Sequence, residues 1–134
     1  MLFRSLTSNA RAGIAAQVSA VPFGELVVWA QTERTQFRVR GKLEIIRENE
    51  GYLESWHGLS DRDRAMFFWP DPGTPFSSAE KKIEIVPVST PPPKNFLALV
   101  LRATEAEALE LNEFPHKRRL WQESSDWKLQ LINP

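Results

Sequence analysis

The segment TERTQFRVRGKLEII, Thr32 to Ile46, decides the fold. From Gln36 onward it alternates: Phe37, Val39, Leu43 and Ile45 face one way with Gly41 among them, and Gln36, Arg38, Arg40, Lys42 and Glu44 face the other. Successive side chains of a strand point to opposite faces of its sheet, so this period of two predicts a half-buried β-strand. Gly41 then marks a bulge, a bend or a close backbone approach, all common where a strand curls into a barrel. Just upstream, ELVVWAQ at Glu25 to Gln31 is β-branched and aromatic, follows Pro22 and Gly24, and predicts a buried strand.

Working outward, Glu48 to Trp56 has helix-forming residues with Leu53 and Trp56 three apart, and predicts a helix. A second helix follows, with Ser60 as its N-cap and Asp63 completing an S-x-x-D start signal. Pro70 and the Asp71-Pro72-Gly73 turn stop it. Thr74 to Asn95, with Pro75, Pro87 and Pro91 to Pro93, predicts a long loop holding a short extended piece at Ile83 to Val88. Phe96 to Leu101 is a continuous apolar run of strand length, suited to a central strand covered on both faces. Glu105 to Asn112 has helical propensity but alternates like a strand, and is assigned to strand. Arg118 to Gln122 and Trp127 to Ile132 form a closing hairpin, with Trp127, Leu129 and Leu131 on one face. The sum is a mainly β (α+β), barrel-like domain with short connecting helices.

The totals set limits. A chain of 134 residues, 42% hydrophobic and 25% charged, suits one globular domain with its own core. Lys plus Arg and Asp plus Glu are both 17, so no global positive field gathers nucleic acid or an anionic membrane. The absence of Cys excludes disulfides, thiol nucleophiles and iron–sulfur clusters, and fits an intracellular, cytoplasmic protein. Two histidines, His57 and His116, argue against a His-rich metal site. The first two dozen residues have two readings. Arg4, Arg11, several Ser and Thr and no acid before Glu25 suit a mitochondrial transit peptide, whereas Asn9 to Ser19 equally suits an alanine-rich helix of the domain.

Three places hold residues with chemistry. Gln36, Arg38 and Arg40 project together from the polar face of the strand: the amide offers a donor and an acceptor to a ring edge, and the arginines offer forks for phosphate or carboxylate. A solvated strand face is the alternative. In FPHKRRLWQ, His116, Lys117, Arg118 and Arg119 beside Trp121 suit a phosphate or a plain basic turn. WPDPG, Trp69 to Gly73, fixes a tight turn whose amides face a ligand or merely end a helix.

Taken in order, ELVVWAQTERTQFRVRGKLEII, SWHGLSDRDRAMFFWPDPG and LELNEFPHKRRLWQESSDWKLQLINP resemble the pyridoxamine 5′-phosphate oxidase-like family, in its branch with a W-P-D-P-G turn. The resemblance implies a split β-barrel of the FMN-binding type whose first strands are missing. It also implies a homodimer with FMN between subunits and, for an active member, FMN-dependent oxidoreductase chemistry with the catalytic residue unassigned. Gln36 matches a strand glutamine that contacts the flavin, and Arg118 an arginine that does likewise, with Arg119 as the register alternative. Gly73 and Thr74 match a turn lining the cofactor. LFRSLTSNAR resembles the strand and helix start that hold the flavin phosphate, where Thr7 and Arg11 match.

This chain also departs from the family pattern. Ala12 and Ile14 stand where the family has a serine and a lysine, so part of the phosphate grip is absent. A degenerate barrel without cofactor, serving dimerisation or as a scaffold, is the competing reading. Nucleic-acid binding through the basic hairpin is disfavoured by the zero net charge.

Overall fold

The computed structural model describes residues 5–77 and 82–134. Its order is β1 (Ser5–Asn9), α1 (Gly13–Ala20), β2 (Phe23–Ala30), β3 (Thr35–Ile46), α2 (Glu50–His57), α3 (Asp61–Ala65), β4 (Phe96–Glu110), β5 (Lys117–Gln122) and β6 (Gln130–Ile132). Single 3₁₀ turns follow α3 at Met66–Phe68 and β5 at Glu123–Ser125. The strands form one six-stranded sheet in the order β2-β3-β4-β5-β6, with β1 pairing β4; β1 with β4, β2 with β3, β4 with β5 and β5 with β6 run antiparallel. By internal contacts the chain divides into two units, Phe23–Leu43 with Leu101–Pro134, and residues 5–22 with Glu44–Val100.

In the first unit, β2 and β3 make the hairpin that the alternating pattern requires, with Ala30 opposite Thr35 and Phe23 opposite Lys42. The expected strand begins later than Thr32, because residues 31–34 form the turn: Arg34 takes φ 47° and its carbonyl accepts from Leu111 N at 2.9 Å. Of the three meanings open to Gly41, close approach is the one realised. A Cβ there would stand 1.9 Å from the carbonyl oxygen of Arg102.

The assignment of Glu105 to Asn112 to strand holds as far as Glu110, and that stretch fuses with the apolar run into the single 15-residue β4. Sheet pairing outweighs helix propensity there, since Glu105 to Glu110 lie in register with Gln122 to Lys117 of β5. The closing hairpin is shorter than expected. Trp127 has φ 58° and belongs to the turn, so it does not share a strand face with Leu131.

The second unit has an aromatic core. Phe96 and Trp56, both essentially inaccessible, pack with ring centroids 4.9 Å apart, and Tyr52 and Phe67 close on Phe96 at 5.0 and 5.1 Å. Edge and tilted ring contacts of this kind add to the burial they accompany. α2 is capped by Asn49, whose Oδ1 accepts from Tyr52 N, and α3 by Ser60, whose Oγ accepts from Asp63 N at 3.1 Å. Ser60 Oγ also donates to the Asp63 carboxylate at 2.7 Å, so the two residues of the start signal are bonded to each other at the helix start through the serine hydroxyl. α1 fills most of the expected Ala-rich segment, with Ala15 and Val18 buried.

No helix or strand occurs among the described residues of the loop from Thr74 to Asn95, so the extended piece at Ile83 to Val88 forms no ladder. It is instead pinned to α3. Val86 is buried, its N–H donates to the Asp61 carbonyl at 3.0 Å, and its own carbonyl accepts from Arg64 Nε at 2.9 Å.

Candidate functional site

The polar face of β2 and β3 is organised by register. Trp29 lies opposite Gln36, Val27 opposite Arg38 and Glu25 opposite Arg40, so all six share one face. Arg40 bridges Glu25 and Glu105, the latter at 2.5 Å, which brings β4 onto the same face. Two residues along β4, Glu107 accepts from Arg118 Nη2 at 2.8 Å. Thus Gln36, Arg38, Glu107 and Arg118 belong to one surface of one sheet. Arg119 does not: adjacent strand residues alternate, and its guanidinium pairs with Glu110 on the opposite face.

Electrostatics tie this face together. Glu107 is 6% exposed, and its hydrogen bond to Arg118, with the charges of Arg118, Arg40 and Arg38, holds its carboxyl below the usual glutamate value despite burial. In return the bond to Glu107 raises the Arg118 guanidinium, and Glu25 and Glu105 raise Arg40. Long arginine stems lying over the sheet allow a carboxylate to be covered without losing its partner.

Two donors on this face are left over. Arg38 Nε donates to Gln36 Oε1 at 2.9 Å, and because an arginine only donates, that bond fixes the amide orientation and leaves the Gln36 NH₂ facing away from it. No acceptor for that NH₂ occurs among the described residues. The Arg118 Nε–H is buried and likewise has no partner there.

The other matched residues lie in the second unit. Arg11 reaches the W-P-D-P-G turn: Nη1 donates to Asp71 Oδ1 at 2.6 Å, and Nη2 to the carbonyls of Trp69 at 3.0 Å and Phe67 at 3.3 Å. Its Nε donates to Asn9 Oδ1 at 3.1 Å. The turn is closed by Thr74, whose N–H and Oγ1 both donate to the Asp71 carbonyl, and by Gly73 at φ 82°, a left-handed conformation suited to glycine. Asp71 and Thr74 line a cleft of about 140 Å³ with Trp69, Phe76 and Lys82. Arg11, Gly73 and Thr74 are therefore brought together, while Thr7 is elsewhere. It lines a cleft of about 410 Å³ with Glu54, Ser55 and Gly58. Of the expected phosphate segment LFRSLTSNAR, Leu2, Phe3 and Arg4 lie outside the described residues.

Sequence reasoning missed four of these residues: Trp29, Glu105, Glu107 and Asp71. The two glutamates had a visible signal, since Glu105 and Glu107 repeat at the period of two that Arg38 and Arg40 show on β3. Trp29 needed the hairpin register, and Asp71 needed a partner 60 positions away.

A six-stranded antiparallel sheet with three short helices, arranged in this order, is a split barrel of the FMN-binding type. No family model matches the sequence, and no curated protein matches it. Solved structures do match. A pyridoxamine 5′-phosphate oxidase-related, FMN-binding protein from Nostoc punctiforme PCC 73102 superposes with a TM-score of 0.82 at 26% identity, over 98% of this chain and 73% of that one. PhzG from Burkholderia lata 383, in complex with tetrahydrophenazine-1-carboxylic acid, superposes with a TM-score of 0.71 at 18% identity, over 97% and 68%. The chain has the pyridoxamine 5′-phosphate oxidase-like fold. No helix among the described residues is long and apolar enough to cross a membrane.

Against a flavin, the two sets of residues behave differently. On the sheet face, a half-exposed Trp29, the free NH₂ of Gln36 and the orphaned Nε–H of Arg118 suit the edge of a ring rich in acceptors. The residues matched to the phosphate do not suit a dianion. Arg11 is already paired with Asp71, and the cleft lined by Thr7 is also lined by the acidic Glu54.

Proposed function

We propose that the chain is a flavin-binding protein of the pyridoxamine 5′-phosphate oxidase-like type, taking the flavin ring on the sheet face at Gln36 and Arg118. The observation that carries this reading is the buried, partnerless Nε–H of Arg118 on the same face as the Gln36 amide. A buried donor without an acceptor is costly, and a ring carbonyl or nitrogen would satisfy it. The fold of a protein described as FMN-binding supports the same ligand. A bound flavin supplies hydride and single-electron transfer. The protein's part is to orient the ring edge by donors, with Glu107 holding the Arg118 fork in place and Arg38 holding the Gln36 amide. Oxidoreductase activity depends on that binding.

A homodimer belongs to the same reading. The edge strand β2, expected from its sequence to be buried, instead exposes Phe23, Val27 and Trp29 by 66, 48 and 49% on the face they share with Glu25, apolar surface that a partner would cover. Sedimentation velocity should give twice the monomer mass.

The test is titration of purified protein with riboflavin and FMN, followed by flavin fluorescence and protein absorbance. Saturable quenching that weakens at least tenfold in Gln36→Leu is expected. If no flavin is bound, the competing reading stands: a cofactor-free module whose charged face and exposed strand serve dimerisation or scaffolding.

A further inference from the structure

We propose that the Asp71 carboxylate is the anion Arg11 is built to hold, so that the chain binds flavin by its ring and does not select for the 5′-phosphate. The first clause stands on geometry, and the second rests on the flavin reading above. An arginine side chain has five N–H donors. In Arg11 one goes to Asn9, one to Asp71 and two to the carbonyls of Phe67 and Trp69, which leaves a single N–H on Nη1. A phosphate gripped in the usual forked manner needs two parallel donors, so it would have to displace one of these acceptors. It would also have to approach a guanidinium whose charge is already balanced by a carboxylate 2.6 Å away.

The surroundings reinforce the assignment. Asn9 accepts from both the backbone N–H and the Nε of Arg11, clamping the arginine at its root. Phe67 O is shared with Asn95 Nδ2 at 2.8 Å, and the Ala10 N–H bonds the Asn95 carbonyl, so the strand end, the arginine and the turn form one knot. Ala12, directly after it, and Ile14, two residues further on, add neither hydroxyl nor ammonium to replace what Arg11 has given up. Asp71 is therefore a specificity determinant: it cancels the cation a phosphate would seek. Its side chain is 61% exposed, so neutralising it leaves no buried group stranded and the fold should tolerate the change.

The experiment compares riboflavin and FMN on the wild-type chain, on Asp71→Asn and on Asp71→Asn/Arg11→Met. The asparagine keeps an oxygen for Arg11 but removes the charge. Wild type should bind both flavins within about threefold, and Asp71→Asn should favour FMN by about tenfold, which corresponds to ~1.4 kcal/mol. The double variant should lose that preference again. A wild-type chain that prefers FMN over riboflavin by tenfold or more overturns the proposal, as does an Asp71→Asn chain without any gain. Binding of neither flavin sinks the flavin reading and with it the specificity clause. The Arg11–Asp71 pairing is then read from melting temperature in inorganic phosphate against chloride of equal ionic strength. A rise in Asp71→Asn alone supports it, and an equal rise in wild type or none in the variant overturns it.

Discussion

Arg118 and Glu107 face each other across β5 and β4 at 2.8 Å, the glutamate side chain buried and the arginine side chain one-third exposed. The pair fixes the one arginine of the basic hairpin that shares a face with Gln36. Replacing Glu107 by Gln keeps the shape but removes the charge that balances Arg118, and should cost about 1–3 kcal/mol in urea denaturation.

The same pair sets a pH dependence. The folded carboxyl of Glu107 titrates below its unfolded value, so its contribution is fully present above the unfolded value of about 4.3 and is lost as pH falls through the folded one. The stability difference between wild type and Glu107→Gln should be constant at neutral pH and shrink under acid. A difference that grows as pH falls would contradict the assignment.

Gly41 predicts a steric limit. With Arg102 O only 1.9 Å from where a Cβ would sit, Gly41→Ala must push β4 away from β3 and should cost about 3 kcal/mol or more. Chemical denaturation monitored by far-UV circular dichroism would show it, and a change under half a kilocalorie would refute the close approach.

In the helical unit, Arg64 is 3% exposed and donates to the carbonyls of Trp56, Leu59 and Val86 as well as to Asp61. Arg64→Met retains much of the volume but takes the Arg64 donors from the carbonyls of Leu59 and Val86, at a cost of about 2–4 kcal/mol. Limited proteolysis should then cut the loop near Val86 faster than in the wild-type chain.

Ser60→Ala removes the side-chain cap of a helix only five residues long. The expected loss is about 1 kcal/mol, measured as a lower denaturation midpoint at unchanged slope. Ser60→Asp should recover most of it.

What was legible in the sequence was what is local. The period of two in Gln36 to Ile45 placed β3 and sorted its faces, the S-x-x-D signal placed the cap at Ser60, and Pro70 set a limit beyond which no helix runs, the helical turns ending at Phe68 with Trp69 extended before the proline, because each is set by sterics and hydrogen bonding within a few residues. The ordered motifs together indicated the split barrel. Register and partnership were decided only by tertiary structure. That Arg118 rather than Arg119 shares the Gln36 face depends on how β5 pairs with β4, and that Arg11 holds Asp71 depends on a contact 60 residues apart. An arginine's donors are the same in every sequence; which acceptor neutralises them is determined by where the folded chain sets its carboxylates.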